Sequence, residues 1–310
     1  MRKAFVRKMM EFAADDPSVI LVTGDLGFNF FEEYSQRFPE QFLNVGICEQ
    51  SMAGICAGLA MTGRKVFMYS IGNFPTLRCL EQIRNDICYH DLPVFIVSNG
   101  GGMAYGYLGM SHHGTEDISV MRSLPGITVC APADPLEVEA LMDFIYRKGK
   151  PAFLRMNRGG EPVLYHQMPD IEKPVFLEQY STPEADTVLI ATGEIGNLLE
   201  DIRKKLENAD IVVDTFTCPV VKPLPQLPSD WFNKRIKMIV TLEENNAVGG
   251  LGSALAEELS GRISHPVLLR IGMPDAYCSV VGKQNTLRDF YGLSPEKVAG
   301  RIIRAKAELL

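Results

Sequence analysis

The chain has 310 residues, 46% of them hydrophobic and 22% charged, with a formal net charge of -7. At roughly 150 residues per domain this length suggests two domains. The balance excludes a collagen, a low-complexity tail or a disordered chain. An acidic surface with no basic block argues against nucleic-acid and anionic-membrane partners. No apolar run reaches the about 18 residues of a membrane span. Seven cysteines, an odd count with no CxxC pair, fit core packing in a reducing compartment and hence a cytoplasmic protein.

Residues 1–16 carry charges through their apolar positions, which predicts an amphipathic helix and no signal peptide. Apolar runs at 19–24, 65–70, 93–99, 127–132 and 152–156 predict strands, and helical patterns fall near 49–62, 76–90 and 134–148. Strand, helix, strand at this rhythm means βαβ units and a mostly parallel sheet. A first domain is expected over 1–160. The proline-rich, aperiodic stretch 161–185 is expected to be a linker. The alternation then restarts in a smaller α/β domain over 186–310, with strands at 187–192, 209–216, 238–243 and 266–272. A proline-rich bend follows 216, and an amphipathic helix closes the chain over 294–310.

Parallel sheets bind ligands beyond the carboxyl ends of their strands, so the loops there hold the candidate residues. In TGDLGFNF (23–30), Asp25 and Leu26 sit just past a strand; an Asx turn explains the aspartate equally well. The segment is no phosphate loop, lacking both GxGxxG and GxxxxGK[ST]. In LNVGICEQSMAGICAGLA, Glu49 falls in a helix's first turn, where it compensates the dipole or serves a dry site. Gly54 and Gly58 give that helix a smooth face. The glycine-rich loop 98–125 is too long for mere connection and brings up His112 and His113, only one of which can face a site. A metal centre needs three or four convergent ligands, and no HxxxH or HExxH occurs, so no metal is assigned to this chain. Arg155 and Arg158 in PAFLRMNRGG suit a phosphate or carboxylate, or an ordinary surface salt bridge.

The ordered blocks NVGICEQSMAGICAGLA, GNFPTLRCLEQIRNDICYHDLPVFIV, GMSHHGTEDISVMRSLPGITVCAPAD and LEENNAVGGLGSALAEEL resemble the C-terminal half of transketolases. The resemblance implies a pyrimidine-binding domain followed by a transketolase C-terminal domain. It implies a thiamine-diphosphate enzyme moving a two-carbon ketol unit from a ketose to an aldehyde. The family's GDG and NN motifs, which hold Mg²⁺ and the diphosphate, belong to its N-terminal half, and this sequence contains no GDG. The implied protein is therefore one subunit of a split transketolase. An N-terminal-type partner would hold the metal, in a heterotetramer with two copies of each chain. Contact between copies of this chain is expected through the pyrimidine domain.

By the same resemblance Glu49 is the catalytic glutamate that hydrogen-bonds the aminopyrimidine, and Phe74 stacks on that ring. Asp25 and Leu26 lie against the cofactor. His112 contacts the substrate, a sugar or sugar phosphate. Arg155 binds a sugar phosphate, with Arg158 the weaker candidate. Tyr107 and Leu108 replace the family's usual acidic pair; a leucine cannot accept a sugar hydroxyl, which implies altered discrimination among hydroxylated and deoxygenated substrates. The rival readings are a 2-oxoacid-decarboxylating relative, of the deoxyxylulose phosphate synthase or dehydrogenase-subunit type, and a non-catalytic paralogue.

Overall fold

A computed structural model describes residues 1–27, 29–232 and 235–309. Phe28 of the first candidate loop and Leu310 of the expected last helix lie outside the described residues. In chain order the strands are β1 (Val19–Thr23), β2 (Phe42–Asn44), β3 (Lys65–Ile71), β4 (Val94–Asn99), β5 (Thr128–Cys130) and β6 (Ala152–Met156). They continue as β7 (Leu177–Tyr180), β8 (Thr187–Thr192), β9 (Val213–Thr217), β10 (Val220–Lys222), β11 (Met238–Asn246) and β12 (Val267–Met273). Two sheets result, ordered β10-β5-β6-β4-β3-β1-β2 and β12-β11-β8-β9-β7. All pairings are parallel except the edge pairs β10 with β5 and β7 with β9. The mixed α/β class with mostly parallel sheets is as the sequence predicts.

Helices cover both faces of the first sheet, so β1 and β4 are buried at every position and each opens with four apolar residues in a row, VILV and VFIV. Helices Arg2–Asp15 and Pro135–Lys148 close one face through Phe5, Met9, Phe12, Leu141 and Ile145. Helix Glu49–Met61 closes the other through Met52, Ala53, Cys56 and Ala57. That second core runs on without a break into Val188 and Ile190 of β8 and Leu251 and Leu255 of helix Leu251–Ser260, so the two domains share it. Local sequence sets the helix ends. Asp134 accepts a hydrogen bond from the Glu137 amide, Pro135 opens the helix, and Gly149 closes it at a left-handed φ of 58°; the aspartate cap contributes about 1 kcal/mol.

Three expectations need correction. The stretch 161–185 is not linker throughout, because β7 within it is an edge strand of the second sheet. Its sequence, LEQY, is half-buried and too polar to show an apolar period. The proline-rich bend after 216 contains β10, which returns to the first sheet and pairs with β5; prolines are tolerated at such an edge. The expected helix 76–90 is broken into a 3₁₀ turn (Leu77–Cys79), one α turn (Leu80–Gln82) and a π segment (Ile83–Cys88). Periodicity alone cannot separate those three forms. Among the described residues no helix is long and apolar enough to cross a membrane.

Candidate functional site at the carboxyl edge of the first sheet

β1, β3, β4 and β6 run parallel and end along one edge of the first sheet, and the candidate residues follow those ends. After β1, Asp25 adopts a left-handed φ of 58°. Asn44, at the end of β2, fixes that turn. Its Oδ1 accepts from the Asp25 amide at 2.9 Å and the Gly46 amide at 3.0 Å, and its Nδ2 donates to Asp25 Oδ1 at 3.2 Å. The Thr23 hydroxyl donates to the Leu26 carbonyl at 3.1 Å. Asp25 and Leu26 are thereby held half-buried just past β1, and a Cβ on the preceding Gly24 would stand 4.0 Å from Glu49 Cγ.

Glu49 opens that helix and is only 4% exposed. Arg78 Nη1 donates to Glu49 Oε2 at 2.8 Å. The guanidinium carbon of Arg78 also lies 4.0 Å from the centroid of the Phe74 ring. Phe74 in turn faces His112, with centroids 5.1 Å apart. Gly72 makes this approach possible: its φ is 50°, and a Cβ there would stand 2.5 Å from the His112 carbonyl oxygen. The two histidines divide as their spacing requires. His112 is half-buried against Phe74 and Tyr105, while His113 is buried, and burial pushes its pKa down. Tyr107 and Leu108 lie on the same loop with their side chains largely in solvent.

The two arginines at the end of β6 separate. Arg155 is 5% exposed; its Nε donates to Asp117 at 2.9 Å, and its Nη2 donates to the carbonyls of Gly114 (2.8 Å) and Glu244 (2.7 Å). The expectation that Arg155 binds a sugar phosphate is therefore corrected: its Nε and Nη2 are taken up by two groups of the first domain and by one, the Glu244 carbonyl, of the second. Arg155 lies within β6, every residue of which is buried, whereas Arg158 lies beyond the strand end and is exposed. Its guanidinium stands 5.1 Å over the Tyr105 ring.

Sequence reasoning missed two residues that the fold adds to this edge. Arg2 lies over Phe30 at 4.1 Å and lines, with Arg158, Lys3 and Gly159, a cavity of about 430 Å³. Its Nε is buried without a hydrogen-bond partner, and among the described residues neither Arg2 nor Arg158 has a carboxylate partner. One signal was present: a cation in a helix's first turn opposes the dipole and needs a reason to be there. The second residue is Arg78, for which no spacing rule gives a signal. From Glu49 through Phe74, His112 and Tyr105 to Arg158 and Arg2, the edge is thus a continuous line. It carries a buried carboxyl and an aromatic plate at one end and, at the other, a cavity lined by Arg2, Lys3, Arg7 and Arg158 with one carboxylate, Glu161, which pairs with the N-terminal amine.

Comparison with known proteins identifies the scaffold. Residues 1–161 match the pyrimidine binding domain of transketolase and residues 179–298 match the transketolase C-terminal domain. An apulose-4-phosphate transketolase subunit of Phocaeicola vulgatus is 31% identical over 96% of this chain and 94% of its own length. The 6-deoxy-6-sulfo-D-fructose transketolase subunit of Clostridium sp. is 28% identical over 100% of this chain and 94% of its own. Among solved structures, a split gene transketolase described as an inactive beta4 tetramer superposes with a TM-score of 0.86. It is 28% identical and is matched over 98% of this chain and 97% of that one. The chain belongs to the transketolase family.

Proposed function

We propose that this chain is the pyrimidine-side subunit of a two-chain, thiamine-diphosphate-dependent transketolase that acts on sugars bearing an anionic group. The coenzyme, when bound, supplies the nucleophilic carbon that accepts a two-carbon ketol unit from a ketose and yields it to an aldehyde. This chain's residues hold and tune its pyrimidine end. Glu49 hydrogen-bonds a ring nitrogen and holds or releases the proton there. Phe74 offers a flat apolar face to the ring, and Asp25 and Leu26 form the side wall. The chain itself supports this fit, because a planar group rich in N–H donors, the Arg78 guanidinium, already meets both Glu49 and Phe74.

Substrate lies further along the same edge. His112 is placed to hydrogen-bond a hydroxyl or the developing oxyanion. Arg158, with Arg2, holds the anionic end of the sugar by charge-assisted hydrogen bonds. The relatives named above as acting on a 4-phosphate and a 6-sulfo sugar support an anionic substrate. Leu108, half in solvent on the loop that carries His112, contributes an apolar surface where it cannot accept a hydroxyl.

The magnesium ion and the diphosphate fall to an N-terminal-type partner, in a heterotetramer of two copies of each chain. The outer face of helix Glu49–Met61 favours contact between copies of this chain. Gly54 and Gly58 open onto free space, and Ile55 and Met61 are exposed beside them. All seven cysteines are free, which supports a reducing, cytoplasmic setting.

The observation that carries the reading is a nearly buried carboxyl, Glu49, joined through Arg78 to an aromatic plate, Phe74, at the edge where ligands of parallel sheets bind. Glu49→Gln in the reconstituted two-chain enzyme is expected to lower turnover by about 10²–10⁴-fold with assembly intact. Near-normal turnover by that variant overturns the assignment.

A further inference from the structure

We infer that Arg78 is a built-in placeholder for the coenzyme's pyrimidine, closing the slot until the ring displaces it. The inference rests on the proposed function above and adds a gate to it. Two contacts define the slot from this chain's side: the Glu49 carboxylate and the face of Phe74. Arg78 makes both. Its Nη1 is 2.8 Å from Glu49 Oε2, and its guanidinium carbon is 4.0 Å from the Phe74 ring centroid. A guanidinium is planar, stacks on aromatic faces and presents N–H donors to a carboxylate. An aminopyrimidine meets a carboxylate and an aromatic ring with the same features.

The arrangement has a physical reason in the free subunit. A carboxylate 4% exposed at Glu49 is costly without a partner. Arg78 satisfies it when no ligand is present. Yet the Arg78 side chain is 43% exposed against 4% for Glu49, so it stands at the solvent side of the pair. It can swing into solvent about its own side-chain torsions with no backbone movement. Its backbone sits in the short 3₁₀ turn Leu77–Cys79, ahead of the π segment Ile83–Cys88. Coenzyme and arginine thus compete for the same carboxylate and the same ring face, and the coenzyme's apparent affinity is reduced by the fraction of molecules in which the slot is covered.

The test is isothermal titration calorimetry of magnesium thiamine diphosphate into the apo two-chain complex, comparing the natural chain with Arg78→Ala and Arg78→Lys. If the guanidinium covers the slot in about nine molecules of ten, Arg78→Ala tightens the Kd by about tenfold. Arg78→Lys gives a smaller gain, because an ammonium keeps the ion pair and loses the planar group. An unchanged or weaker Kd in Arg78→Ala overturns the placeholder, and a weaker one makes Arg78 part of the loaded site. Turnover of Glu49→Gln, measured in parallel, separates the two levels. An inactive Glu49→Gln with no gain from Arg78→Ala defeats the gate alone; a fully active Glu49→Gln defeats the function on which it rests.

Discussion

Arg155 and Arg158 lie three residues apart at the end of β6, and they stand for two differently built regions. Arg155 belongs to the seam between the domains. There Asp117, Glu244 and Arg288 are also buried, and each is answered by a partner: Arg155 by Asp117, Arg288 by Glu244 and Glu194. Glu137, on the same seam, accepts from the Ala133 amide, the Tyr165 hydroxyl and the Thr217 hydroxyl. Arg158 belongs to the carboxyl edge of the first sheet. There charges are half exposed or left without a counter-charge, as at Arg78, Arg158 and Arg2. A buried group whose partners all come from the chain holds the fold. A charge placed in a cleft with its partner missing is set for a ligand.

The difference is sharpest when both arginines are removed in turn. Arg155→Ala leaves Asp117 buried and unpaired, and is expected to cost about 3–5 kcal/mol of stability by urea unfolding. A loss under about 1 kcal/mol, the usual worth of a surface ion pair, contradicts the seam's role. Next in size is a pH effect at Glu137. Burial raises its pKa from 4.5 to about 7, against the lowering effect of its three donors. Below pH 4.5 both folded and unfolded chains carry the proton, so its contribution to stability is complete. Between 4.5 and 7 the unfolded chain ionises first, and stability falls as pH rises, by at most about 3 kcal/mol. Thermal unfolding across that range is expected to show the decline, and Glu137→Gln to flatten it.

At the edge the effects fall on substrate and leave stability alone. Arg158→Ala is expected to shift stability by no more than about 0.5 kcal/mol. In the two-chain enzyme it raises KM for a phosphorylated sugar by about tenfold, the loss of one charge-assisted hydrogen bond. An unphosphorylated sugar of the same length should show no such rise. The smallest effect is expected at Leu108. Leu108→Asp restores an acceptor and shifts relative kcat/KM toward the more hydroxylated of two substrates by a few-fold, up to about tenfold. No shift in a direct competition assay removes Leu108 from the specificity-determining surface.

The fold was legible because its strands are buried on both faces and announce themselves as apolar runs. β7 and β10 were not legible: one is polar and half-exposed, the other three residues long between prolines. The edge was legible as a place, since loops after parallel strands are few. Glu49, Phe74 and His112, drawn from three separate segments, are joined in space, the first two through Arg78. What strand-end position could not decide was which of two neighbouring arginines turns inward. That follows from the groups that meet Arg155 alone: Asp117 and the Gly114 carbonyl within the first domain and the Glu244 carbonyl across the seam. Arg2, at the far end of the chain in sequence, joined the edge only through the packing of the first helix against the sheet.

The central claim is that this chain brings a carboxyl group to a coenzyme whose charged tail a second chain grips. A crystal structure of the two-chain complex with thiamine diphosphate tests it most directly. The account predicts Glu49 within hydrogen-bond distance, about 2.6–3.2 Å, of a pyrimidine nitrogen, with every diphosphate and metal contact coming from the partner. A coenzyme held away from Glu49, or with its diphosphate bound by this chain, contradicts it.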